Sequence, residues 1–387
     1  MSDADHRMAL AEEWDSLVAQ ARELPGFDGF LRPPPASSLS AAADGPVVVV
    51  TVTRWACAAL IARGGRVTRL ELPELTADSV ADVVRRYLAA IGAHDARDAT
   101  ATFGELLEPE LAECLAVLWD GLAEPILDHL GFGATPEDPW PRLWWCPTGP
   151  LAFLPLHAAG RHGTPGAAVV DRVISSYTPT LRALRQARQA RPTAGSMLVV
   201  GLPETPGLPE LPSVEAESEL LARLLPGRVT ALTGREATRA RVLAELPAAA
   251  WAHFACHGRQ DPRDPSSGAL LLHDGPLSVT DLAALRHTGD LAYLSGCKTA
   301  VGGADLPDEA ITLAAALQYT GFRHVIATLW TVGDAYAARV AADVYAELAV
   351  DGRIDADRAA GALHRAVRRL RERAMLSAWT PFVHLGP

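Results

Sequence analysis

The chain has 387 residues, 49% of them hydrophobic and 21% charged, and a formal net charge of −11. That composition excludes a disordered polymer and suits one large core with an accessory region, or two domains. An acidic balance with no basic run among aromatics excludes a nucleic-acid footprint, and the lack of an apolar run of about 18–20 residues excludes a membrane-spanning helix.

The start, MSDADHRMALAEEW, is acidic and lacks the apolar stretch of an export signal. Cys57, Cys114, Cys146, Cys256 and Cys297 are odd in number and scattered among apolar neighbours. Both features predict a cytoplasmic chain with reduced thiols. Residues 8–22 carry apolar positions at helical spacing, and LPGFDGFLRPPP at 24–35 stops that helix. PVVVVTVTRWACAALIA at 46–62 reads as one strand, RGG at 63–65 as a turn and RVTRLELPEL at 66–75 as its hairpin partner. Helices are predicted near 77–92 and 103–130.

From about residue 142 short apolar strands alternate with helical stretches. RLWWCPTG, SMLVVGLP, RVTALTG, AAWAHFACHG (249–258), GALLLHDG, DLAYLSGC (290–297) and HVIATLW (324–330) read as strands. Helices are predicted over 213–224, 236–246, from Ser278, 307–320, 334–350 and 356–374. The alternation implies an α/β fold with a mostly parallel sheet and helices on both faces. Such sheets carry their chemistry at the carboxyl ends of their strands. GLPETPGLPELPS (201–213) reads as a rigid loop directly after a strand, and no internal repeat is visible.

Two strand ends hold the reactive residue types. HFACHG (253–258) brings two histidines and a cysteine, and LSGCKTA (294–300) brings Cys297. A cysteine at a strand terminus near backbone N–H groups can be held as thiolate. A histidine from a neighbouring strand end can protonate a leaving amine, and Gly258 lets an N–H approach an oxyanion. These are a nucleophile, an acid/base and an oxyanion donor, the requirements for acyl transfer from a peptide. A cysteine in an apolar strand is ordinarily a small core residue, and Cys57, Cys114, Cys146 and Cys256 take that role. His253 reads as a packed core histidine. A metal site of His253, Cys256 and His257 is disfavoured, because in a strand residue 256 points away from 253 and 257.

HFACHG, YLSGCKTA, the ITLAAALQYTGFRHVIATLWTVGD run and CPTGPLAFLPLHAA resemble the CHAT family of caspase-like cysteine peptidases, which are related to separase and often joined to tetratricopeptide repeats. The resemblance runs from about residue 109 to the C-terminus. It implies a caspase-like three-layer α/β/α peptidase domain over 109–387. Residues 1–108 are then an accessory region of helix, Pro-rich segment, β-hairpin and helix. It further implies His257 as the catalytic histidine, Cys297 as the nucleophile, and the N–H groups of Gly258 and Cys297 as the oxyanion hole. Gly296 and Lys298 depart from the residues many members carry, and the repeats of many members are absent.

The expected function is therefore a cysteine endopeptidase that cleaves a partner protein with a Cys–His dyad, without cofactor or metal. Activation by a partner subunit or ligand, and a part in bacterial defence or programmed death, follow from the resemblance alone. The alternative from another class is a catalytically silent adaptor of the same fold; a redox thiol protein is disfavoured because no CxxC motif occurs. In related peptidases the loop after the third strand lines the primary specificity pocket. Asp334, in TLWTVGDAY, is therefore expected to pair with an arginine or lysine before the scissile bond, with Asp305 and Asp308 as further candidates. Asp334 equally reads as the N-cap of helix 334–350.

Overall fold

The computed structural model describes residues 3–32, 45–95, 104–190, 195–260, 267–285, 288–298 and 312–387. The strands begin with β1 (Val47–Val52), β2 (Cys57–Arg63), β3 (Arg66–Glu71), β4 (Arg142–Pro147) and β5 (Ile174–Tyr177). Next come β6 (Ser196–Gly201), β7 (Val229–Thr233), β8 (Ala249–Ala255), β9 (Gly258–Arg259), β10 (Ala269–Leu272) and β11 (Gly275–Ser278). The last are β12 (Gly289–Lys298), β13 (Phe322–Thr328), β14 (Ala349–Val350), β15 (Arg353–Ile354) and β16 (Phe382–Leu385). The helices are α1 (Asp3–Arg22), α2 (Ala77–Asp95), α3 (Gly104–Leu118), α4 (Glu124–His129), α5 (Leu181–Gln189) and α6 (Ser213–Leu224). They continue with α7 (Arg239–Glu245), α8 (Val279–Ala283), α9 (Leu313–Thr320), α10 (Asp334–Leu348), α11 (Ala359–Arg371) and α12 (Leu376–Trp379).

Eleven strands form one sheet in the order β3-β2-β1-β4-β5-β16-β13-β12-β8-β6-β7. Only β1–β2, β2–β3 and β13–β16 pair antiparallel; the other neighbours are parallel. Parallel strands are covered on both faces, and β8 and β13 are accordingly buried along their whole length. On one face Val47, Ala62, Trp144 and Cys146 pack with Leu184 of α5. Trp145, the next residue after Trp144, belongs instead to the large cluster that includes Val83 of α2, Leu115 of α3 and Val344 of α10. This is the expected α/β architecture with a mostly parallel central sheet.

The local reading differs in several places. The apolar run 46–62 is two strands, because the Thr53 hydroxyl accepts from the N–H groups of Trp55 and Ala56 and turns the chain. No Gly or Pro marks that turn. The stretch 103–130 is α3 and α4 joined by a π-helical turn, Trp119–Ala123. The strand expected over 249–258 ends at Ala255, and Gly258 opens a separate small sheet with β10 and β11. Finally, β5 and β16 were not foreseen, and β16 stands between β5 and β13. The side chains of Trp144 and Arg142 hold its end by donating to the Gly386 and Pro387 carbonyls at 2.8 and 3.1 Å. The hairpin strands on one side of residue 108 share this one sheet with eight strands from the other side, joined where β1 pairs with β4. Among the described residues no helix is long and apolar enough to cross a membrane.

A run of buried histidines crosses the sheet beside β16. His384 Nδ1 lies 2.8 Å from Ser176 Oγ, its Nε2 lies 3.1 Å from His324 Nδ1, and His324 Nε2 faces Asp357 at 3.4 Å. Burial pushes His324 and His384 below the ordinary imidazole value, and lowers His157 to about 4 and His364 to about 3. The folded chain therefore holds these rings neutral at pH values where the unfolded chain protonates them. Stability from such groups is complete above about pH 6.5 and is lost as pH falls toward 4. His157 and His364 alone are each worth on the order of 2 kcal/mol at pH 5. The melting temperature should fall by many degrees between pH 7.5 and pH 5; a melting temperature that is flat over this range would contradict neutral buried histidines.

Candidate active site

Strands β8, β12 and β13 run parallel, so their carboxyl ends meet at one edge. The pairing of β12 with β8 runs in register from Leu291 with Trp251 to Ser295 with Ala255. Both chains then continue past the last pair. His257 and Cys297 each stand two residues beyond it. Against β13 the register of β12 is broken: Tyr293 pairs with Ile326, yet Lys298 pairs with Thr328. The segment of β12 that carries Cys297 thus bulges out of the ladder, a device common beside active sites. The side chain of Cys297 lies outside the described residues, as do Asp305 and Asp308.

His257 lies at the crossing from β8 to the small sheet. Its carbonyl accepts from Leu271 N–H at 2.8 Å, which fixes the backbone. Its Nε2 lies 2.8 Å from the Pro209 carbonyl. A carbonyl only accepts, so Nε2 carries the proton and Nδ1 is the basic nitrogen. Pro209 belongs to the Pro-rich loop after β6, and β6 is the other neighbour of β8. Sequence reasoning identified that loop as rigid but did not connect it to His257. The usable signal was the parallel neighbour relation, which brings the end of β6 to the end of β8. Gly258 follows at the start of β9, partly exposed and opposite Leu270.

Cys256 is 2% exposed and belongs to the core. His253 is fully buried, as expected, with Nδ1 3.1 Å from the Tyr345 hydroxyl and Nε2 2.8 Å from Glu217 Oε2. Tyr293 stacks on the His253 ring at 5.3 Å. Burial first, and the nearby Glu217 charge second, raises the Tyr293 hydroxyl well above its ordinary pKa; burial, Tyr293 and Glu217 do the same for Tyr345. Tyr345 therefore stays a donor. Glu217 and Tyr345 were not singled out from the sequence. Among the described residues no three His, Cys, Asp or Glu side chains stand together as metal ligands would.

Asp334 is the first residue of α10, and the N-cap is Gly333 instead. The Asp334 carboxylate reaches another helix: Oδ2 accepts from the N–H of Ser213, at the start of α6, at 3.0 Å. The loop from Pro209 to Ser213 is thus bonded to His257 at one end and to Asp334 at the other.

Separase from Saccharomyces cerevisiae, solved in complex with securin, is similar in structure with a TM-score of 0.64 at 10% sequence identity, covering 91% of this chain and 31% of separase. The chain spans under a third of separase, and at this identity the likeness is one of fold. The pro- and mature domains of RgpB from Porphyromonas gingivalis give a TM-score of 0.44 at 10% identity, covering 88% of this chain and 78% of that one. No curated protein matches the sequence. The CHAT domain family model matches residues 112–387. That range takes in β4, the Pro209 loop and the three strand ends that carry His257, Cys297 and Asp334, and with it the chain belongs to the CHAT domain family.

Proposed function

We propose that the protein is a cysteine endopeptidase that cleaves a partner protein through His257 and Cys297. One observation carries the reading: the pairing of Ser295 with Ala255 sets His257 and Cys297 at the same level beyond two adjacent strand ends. The Cys297 thiolate attacks the substrate carbonyl carbon, and the oxyanion is received by the N–H groups of Gly258 and Cys297. His257 Nδ1, having taken the Cys297 thiol proton, gives it to the leaving amine, and water then hydrolyses the thioester. The Pro209 carbonyl, by holding Nε2–H, keeps the imidazole in the tautomer this sequence needs. Residues 109–387 form the peptidase domain on this reading, and the hairpin of the accessory region 1–108 widens its sheet.

The substrate residue before the cut is arginine or lysine, paired with the Asp334 carboxylate. Asp305 and Asp308 are the further candidates for that pocket. The likeness to separase, whose structure holds securin, supports a protein partner that controls this chain as well. Regulated cleavage in bacterial defence or programmed death is the process we assign to it.

Cys297→Ala and His257→Ala should each reduce cleavage by at least about a thousandfold with melting temperatures near wild type, while Cys256→Ala keeps most activity. Mapping new N-termini in a proteome treated with wild type and with Cys297→Ala checks this; identical maps would leave the fold as an adaptor. Asp334→Ala should remove the preference for arginine in a peptide library varied at the residue before the cut. It should also cost about 1 kcal/mol of stability through the unpaired Ser213 N–H. A retained arginine preference with that stability loss would reduce Asp334 to a helix cap. The isolated chain should turn over unselected peptides slowly, because the segments 259–268 and 299–309 beside the two strand ends are rich in Gly, Pro, Ser and Asp. Rapid turnover without partner or processing would contradict control by a partner.

A further inference from the structure

A buried carboxylate lies beneath the two strand ends. Glu217, in the second turn of α6, is only 5% exposed. Burying an ionised group is costly unless its oxygens are engaged. Oε1 of Glu217 has a hydrogen-bond donor and Oε2 a close contact without hydrogen-bond geometry, and the two come from different strands. Oε1 accepts from the Ser295 hydroxyl of β12 at 3.3 Å, and Oε2 contacts His253 Nε2 of β8 at 2.8 Å. On its other side the His253 ring has the Tyr345 hydroxyl 3.1 Å from Nδ1.

The positions of these two partners matter more than their number. Ser295 is the last residue of β12 paired with β8, and it lies where β12 loses register with β13. It is therefore the root of the bulge that carries Cys297 two residues later. His253 sits four residues before His257 on the adjacent strand. The helix that supplies Glu217 is itself tied to the site through Pro209 and Ser213. A buried polar contact of this kind adds little to stability compared with apolar residues of the same volume. A fold that keeps one at this point gains position from it.

The geometry points to Glu217 as a positioning residue that sets the bulge of β12 against β8, and so sets the Cys297–His257 pair, with Ser295 as its contact on the nucleophile strand. This rests on the proposed dyad. Glu217 touches no substrate; it acts through the two strands it joins. Glu217→Gln keeps the volume and an oxygen for Ser295 but replaces the carboxylate oxygen beside His253 Nε2 with an amide nitrogen. Ser295→Ala removes one hydroxyl and nothing else.

The test is the pH dependence of Cys297 alkylation by iodoacetamide in the full chain, read by mass spectrometry of the Cys297 peptide, which needs no substrate. Wild type should titrate well below the value of about 8.5 for a free thiol, and His257→Ala should return Cys297 to that value. Glu217→Gln and Ser295→Ala should each move the midpoint toward that of His257→Ala and slow labelling at pH 7 by about tenfold, with melting temperatures within a few degrees of wild type. If Glu217→Gln fails to fold, Ser295→Ala decides. Wild-type midpoints and rates in folded Glu217→Gln and Ser295→Ala, alongside a shifted His257→Ala, would overturn the positioning role and leave the dyad standing. A His257→Ala profile identical to wild type would instead overturn the dyad, and the positioning role with it.

Discussion

Parallel strands finish at the same edge, and the pairing of Ser295 with Ala255 makes that edge the candidate site. One residue of slip between β8 and β12 would exchange the faces of the paired side chains against each other. The structure guards this register from three directions. The ladder of backbone bonds holds it from within, with β6 and β13 as the outer neighbours. The small sheet of β9, β10 and β11 pulls the chain after β8 out of the main sheet and holds the His257 carbonyl. Helix α6 and its leading loop close over the same edge through Pro209, Ser213 and Glu217.

Charge placement follows from the same arrangement. Glu217 is buried between two strands, with the Ser295 hydroxyl on Oε1 and the His253 ring, itself beside the Tyr345 hydroxyl, 2.8 Å from Oε2. Across the sheet, Arg323 plays the corresponding part: it pairs with buried Asp290 at 2.7 Å and with Asp357 at 2.8 Å. Burial pushes Asp290 up against the opposing pull of Arg323. Polar groups of this kind permit few alternative packings, so a sheet of eleven strands gains one arrangement rather than several.

Much of this was legible in the residues. The alternation of β-branched runs with helical stretches implied the mostly parallel sheet, and HFACHG and LSGC marked strand ends by ending apolar runs with small polar residues. What stayed hidden depends on contacts between distant segments. In SVEAESELLARL, Glu215, Glu217 and Glu219 look alike as surface charges, and only packing against β8 and β12 buries Glu217. Pro209 acts through its carbonyl, which every residue has, so no side chain announces it. The turn at Thr53 is made by a hydroxyl in a stretch rich in β-formers. Asp334 was legible as a residue at a helix start, but not as the partner of Ser213 on another helix. FVHL is too short to read as a strand without its neighbours.

That short strand has a consequence for the order in which the molecule can be completed. β16 lies between β5 and β13, yet it comes after every other strand in the chain. During synthesis the hairpin strands with β4 and β5, and the block from β6 to β13, emerge as two half-sheets running in opposite directions, with no strand to join them. The seam closes only when residues 382–385 leave the ribosome and Trp144 and Arg142 receive the carbonyls beyond them. A nascent chain that stalls short of this point has both residues of the candidate dyad but an unfinished sheet around them.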